Sequence, residues 1–145
     1  MFTDEKKYEK TEAGRVNAVT LAFLGDAVYA LFVREALVKS NSGKASALNK
    51  TASTVLSARG QSAFLDKVSV LFTQDEEEVY KRGRNAKKPT KSKNASAVEY
   101  ARSTGFEAVL GYLYLAGDMQ RIAYLLSFIG EDALKGQAVE KAFKP

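Results

Sequence analysis

The sequence predicts an all-α domain of about six to eight helices. Apolar residues recur at helical spacing through most of the chain, and no stretch alternates apolar and polar residues as a half-buried strand would. The breaks between periodic segments fall at clusters of Ser, Asn and Gly. A length of 145 residues fits a single domain, 1–145, with 1–15 and 131–145 peripheral to its core.

Residues 1–15 are polar and charged, without the apolar run of a signal peptide. Ala18–Leu37 is apolar on every face of a helical wheel, as expected of a buried central helix. The helix should end near Lys39, where Ser40, Asn41, Ser42 and Gly43 supply a turn. Its apolar runs on either side of Asp26 fall short of the about 18–20 residues that cross a bilayer, so a cytoplasmic protein with no membrane partner is expected.

Ala45–Leu56 carries Ala45, Leu48, Ala52, Val55 and Leu56 at helical spacing. Arg59 and Gly60 then read as a break, and Gln61–Phe72 as a further helix through Phe64, Leu65, Val68, Leu71 and Phe72. Thr73 and Glu76 form a capping-box pattern that opens a short acidic helix to Arg82. Its carboxylates lie at the positive end of the helix dipole and its cations at the negative end. From Arg82 to Ser96 the sequence RGRNAKKPTKSKNAS has no apolar period and reads as a loop. Ala95–Leu115 is a second major helix, and Asp118–Ile129 another, with Gly130 placed as its C-terminal cap.

Composition narrows the chemistry. There is no cysteine and no histidine, which removes disulfides, zinc sites of the usual kind and histidine-based catalysis. Catalysis would rest on carboxylates, lysines, tyrosines or a hard metal ion held by oxygen ligands. The net charge of +5 is unevenly spread: Lys81–Lys93 holds seven cations and no acid, which leaves −2 for the rest. A nearly neutral body with one basic arm points to a polyanionic partner.

Two acids stand out against apolar surroundings. Asp26 follows Gly25 in the middle of the first long helix, and Glu107 precedes Ala108–Leu110 and Gly111 in the second. A buried ionised carboxylate is costly unless a cation or hydrogen bonds compensate it. Small residues one turn away, Ala22 and Gly111, would let the two helices approach and bring the acids together. Like charges at that range repel unless a divalent cation lies between them. Structural alternatives stand beside this: Asp26 as a satisfied buried acid, and Thr104–Glu107 as a capping box.

LAFLGDAVYALFVR resembles the ribonuclease III signature helix, and TGFEAVLGYLYL the later helix with that family's other metal-binding acid. The RGRNAK segment, the short chain and the lack of a following double-stranded-RNA-binding domain resemble its Mini-ribonuclease III branch. The resemblance runs from about Asn17 to Leu126. It implies a ribonuclease III-like fold and a homodimeric, Mg²⁺-dependent endonuclease that cuts double-stranded RNA, with Mn²⁺ able to substitute. The typical task is maturation of 23S ribosomal RNA precursor ends, with a ribosomal protein as a candidate presenter of the substrate. Asp26 and Glu107 occupy the positions of the catalytic, metal-binding acids. Where full-length ribonuclease III has further carboxylates, this chain has Val19, Ala22 and Thr104, so more water and fewer protein ligands are expected around the ion.

Within that reading Arg82, Arg84, Asn85, Lys87, Lys88, Lys91 and Lys93 form the RNA-binding segment, because A-form RNA presents chiefly phosphates and 2′-hydroxyls. Surplus apolar residues on the first long helix, Phe23, Val28, Leu31 and Phe32, are assigned in part to a subunit interface. The rival reading is a non-catalytic RNA- or ribosome-binding adaptor on the same fold. A small architectural DNA-binding protein is less consistent, since the cations do not lie on a recognition-helix face.

Overall fold

The computed structural model describes residues 6–40, 44–87 and 96–130. Among them are seven α-helices, one 3₁₀ turn and no strand. The helices are α1 (Lys10–Gly14), α2 (Ala18–Ser40), α3 (Ala45–Leu56), α4 (Ala58–Val68), α5 (Gln74–Asn85), α6 (Ala97–Leu115) and α7 (Met119–Leu126), with the turn at Ser69–Leu71. No helix among the described residues is long and apolar enough to cross a membrane.

Most helix starts are written locally. The Asn17 carboxamide oxygen accepts from the Val19 and Thr20 amides at the head of α2. Thr73 with Glu76 and Ser96 with Glu99 form reciprocal capping boxes at α5 and α6. The Asp118 carboxylate accepts from the Arg121 amide at α7. Each satisfies a backbone donor that the first helical turn leaves open.

The core organises around α6 more than α2. α6 packs on α2, α5, α4, α1 and α7, and from Ser103 to Leu113 only Glu107 escapes full burial. α2 is the helix whose all-round apolarity misleads. Leu21, Val28, Tyr29, Val33 and Leu37 enter the core, whereas Phe23, Leu31 and Val38 face outward, 82 %, 62 % and 67 % exposed. Of the four residues assigned to an interface, Val28 therefore lies in the core and Phe32 is half-buried against it.

Several boundaries differ from the sequence-based expectation, including the end of α4 at Val68 instead of Phe72 and the start of α6 at Ala97 instead of Ala95. The chain breaks at Ser57, not at Arg59 and Gly60, because Ser57 is extended and its hydroxyl caps α4 by accepting from the Gly60 amide at 3.0 Å. The left-handed glycine is Gly117, at φ +74°, which closes α6; α7 ends at Leu126 with Ser127 as its cap, before Gly130. Finally, α5 runs on to Asn85, so Arg82, Arg84 and Asn85 are helical. The extra turn is held by Gly83, which lies against Gly105 so tightly that a Cβ there would stand 2.9 Å from the Gly105 Cα. Packing on α6 overrides the low helix propensity of glycine.

An ion pair between half-buried Arg121 and buried Glu76 fastens α7 to α5. Arg121 Nε donates to Glu76 Oε2 at 2.9 Å, and Arg121 Nη2 donates to Glu76 Oε1 at 2.8 Å and to the Leu71 carbonyl at 2.7 Å. Glu76, 2 % exposed, also completes the α5 capping box.

Candidate metal centre

The two acids meet where α2 crosses α6, and the crossing is made of backbone. A Cβ on Gly25 would lie 1.7 Å from the Glu107 carbonyl oxygen, and one on Gly111 would lie 2.0 Å from the Leu21 carbonyl oxygen. Only glycine permits so close an approach. The small residue of α2 at the contact is thus Gly25, adjacent to Asp26, in place of Ala22 one turn earlier.

Asp26 sits on the exposed side of α2 and Glu107 is half-buried on α6. Their carboxyl groups come within hydrogen-bonding reach of each other. Asp26 is therefore no buried acid. Burial pushes the Glu107 carboxyl up to about 8, an amide donor from Gln61 pulls it down, and Asp26 adds to the upward shift. The capping-box alternative for Glu107 fails, since α6 begins at Ala97 and the Thr104 hydroxyl donates to the Tyr100 carbonyl within the helix.

Two further side chains belong to the setting. Gln61, 2 % exposed, reaches across from the first turns of α4: its Nε2 donates to Glu107 Oε2 at 3.1 Å and to the Leu56 carbonyl at 2.9 Å. Its Oε1 is buried without a hydrogen-bond partner. Tyr29, one turn beyond Asp26, packs edge-on to Phe106, and its buried hydroxyl is likewise unpartnered. Its pKa is raised by burial and by Glu107. Neither residue was singled out from sequence. The signal for Gln61 was its place on the inward stripe of Phe64, Leu65 and Val68, where a polar residue needs a reason.

Among the described residues no group of three or more Asp, Glu, His or Cys side chains converges. The acids that the described residues bring together here are two carboxylates, an all-oxygen pair. That suits Mg²⁺, which is commonly held by one or two carboxylates and otherwise keeps water and substrate phosphate oxygens.

The basic segment divides. Arg82 donates to the Gly14 carbonyl at 2.5 Å and to the Val16 carbonyl at 3.5 Å, satisfying backbone where α1 leads into α2. Arg84 donates to Asn85 Oδ1 at 3.1 Å, and its guanidinium lies 5.6 Å from the Tyr80 ring centroid. Lys81 pairs with Glu77 one turn back. Lys87 is exposed just past the helix; Lys88, Lys91 and Lys93 lie outside the described residues. Lys50 and Arg59 are exposed on α3 and α4, while Arg102 pairs with Asp66.

Residues 19–118 match the Ribonuclease III domain. This chain belongs to the ribonuclease III family. It is an endoribonuclease of the ribonuclease III type. Mini-ribonuclease 3 of Streptococcus pneumoniae is 41 % identical over 115 residues, covering 78 % of this chain and 90 % of the relative. Mini-ribonuclease 3 of Symbiobacterium thermophilum is 42 % identical over 119 residues, covering 82 % and 92 %. A crystal structure of a Fusobacterium nucleatum protein shares the fold at a TM-score of 0.74 and 26 % identity, covering 79 % of this chain and 93 % of that one. The Gly25–Asp26 step and Glu107 both lie inside the matched ribonuclease III domain.

Proposed function

We propose that Asp26 and Glu107 hold Mg²⁺ and that the protein uses it to hydrolyse phosphodiester bonds of double-stranded RNA. The observation that carries this is the convergence of the two carboxyl groups, 81 residues apart in the chain, across a glycine crossing. Bound there, the cation supplies polarisation of the phosphate and a water acidic enough to attack. Asp26, on the open side, presents its carboxylate to solvent and substrate. Glu107 orients from below and must release its proton to become a ligand. Neither acts as a covalent nucleophile.

The substrate class is inferred from the family together with exposed Lys87 and the lysines of the sequence after it, which would offer cations to phosphates. The family resemblance further assigns 23S ribosomal RNA precursor ends as the duplex cut, with a ribosomal protein as presenter and the cytoplasm as the place. Cutting both strands calls for two copies about a two-fold axis. The outward α2 face of Phe23, Leu31 and Val38 is the surface we assign to that contact.

The test is cleavage of a plain RNA duplex with Mg²⁺. Asp26→Asn and Glu107→Gln should fold and bind the duplex but cut it orders of magnitude more slowly. Near-normal cutting by either variant would overturn the assignment.

A further inference from the structure

Resting on the assignment of Asp26 and Glu107 as ligands, we infer that Gln61 is a positioning residue for the metal site: its amide holds Glu107 Oε2, so that the other carboxylate oxygen is the one offered toward Asp26 and the cation.

The geometry is specific. A side-chain amide has two N–H donors, and here two acceptors engage them, Glu107 Oε2 at 3.1 Å and the Leu56 carbonyl at 2.9 Å. Turning the amide over would set Oε1 against the Leu56 carbonyl and, once Glu107 is ionised as a ligand, against its carboxylate as well, so in the metal-ready site its sense is fixed by its neighbours. In that sense Oε1 is left buried with no partner. A structural role would need only the one donor that meets the Leu56 carbonyl; the second donor, on Glu107 and beside an acceptor left unmet, is what ties Gln61 to the carboxylate.

Local structure holds Gln61 in place. Ser57 caps α4, and Gly60 lies so near the end of α3 that a Cβ there would stand 2.5 Å from the Thr54 carbonyl oxygen. The corner between α3 and α4 thus sets the Gln61 backbone firmly beside α6, and Leu56, the last residue of α3, fixes one half of its amide. Groups behind a ligating carboxylate orient it for the ion, and their loss typically lowers metal affinity 10–100-fold.

Mn²⁺ titration, read by electron paramagnetic resonance of the free ion, on wild type, Gln61→Met, Glu107→Gln and the double variant tests this without RNA. Melting curves in chelator check that each variant folds. Mn²⁺ binding lost in Glu107→Gln, weakened about 10-fold or more in Gln61→Met, and no weaker in the double variant than in Glu107→Gln supports the role. Duplex cleavage by Gln61→Met should then recover at raised metal concentration, a change in metal requirement more than in maximal rate. Wild-type Mn²⁺ affinity in Gln61→Met, with binding lost in Glu107→Gln, would overturn the positioning role and leave the site assignment standing. Unaltered binding in Glu107→Gln would overturn the site itself. If Gln61→Met fails to fold, Gln61→Leu is read the same way; failure of both would make Gln61 a packing residue and overturn the proposal.

Discussion

The main chain of Glu107 passes so close to Gly25 that a single methyl group on that glycine would stand 1.7 Å from the Glu107 carbonyl oxygen. The neighbour is backbone and cannot swing aside. Gly25→Ala should therefore cost more than the about 1–3 kcal/mol usual for overpacking, and what folds should have its acids forced apart. Gly14→Ala is the control, since its Cβ would meet only a Tyr112 ring carbon at an ordinary 3.7 Å. Chemical denaturation and duplex cleavage on the two variants should separate them: Gly25→Ala loses both stability and cutting, Gly14→Ala neither.

A second expectation concerns pH. The folded Glu107 carboxyl is held at about 8 by burial, with Asp26 adding to it, against an ordinary 4.5. An acid raised on folding binds its proton more tightly in the native state, so its contribution is complete below about 4.5 and disappears as pH rises through about 8. Metal-free protein should melt at progressively lower temperature from about pH 5 to about pH 8 and level off above that, and Glu107→Gln should flatten the dependence. Mg²⁺ or Mn²⁺ competes with the same proton, so binding near pH 7 should release about one proton, measured by calorimetry in buffers of different ionisation enthalpy.

The cations of the basic segment should not behave alike. Arg82 is spent on the Gly14 and Val16 carbonyls, so Arg82→Ala should cost about 1 kcal/mol of stability and leave the salt dependence of RNA binding unchanged. Lys87, exposed beyond α5, should do the reverse: Lys87→Ala should lower the slope of log affinity against log salt by about one unit, with the melting temperature unmoved.

Leu31 is 62 % exposed on the outer face of α2, away from the core residues of the same helix. Leu31→Glu should leave the fold intact, convert a dimer to a monomer in sedimentation or light scattering, and turn double-strand cleavage into nicking. A monomeric wild type at micromolar concentration would remove the assigned interface.

What the sequence disclosed was chiefly what is local. Helical spacing placed α3 at Ala45–Leu56 to the residue, and the Thr73–Glu76 box marked the start of α5 because both partners lie within one turn. The two acids were legible as anomalies, polar residues among apolar ones. What escaped depends on contacts distant in sequence. Gly60 and Gly83 read as breaks, but they are helical glycines pressed against the end of α3 and against Gly105. Gly83–Asn85 looked like loop because the turn that holds them helical is supported from α6. Gln61 carried no motif at all; its role exists only once α4 is laid beside Glu107. The even apolarity of α2 hid the division between the face that enters the core and the face that leaves it.

The pairing of Arg121 with Glu76 has a bearing on how such a chain can change over time. Removing Arg121 alone strands the buried Glu76 carboxylate, at about 3–5 kcal/mol, whereas exchanging both for apolar residues of similar volume can be close to neutral. The two positions are therefore tied in their histories. A lineage that departs from this pair must travel through a poorly folded ancestor or swap both residues nearly together, and descendants on either side of that step should differ at 76 and 121 in concert.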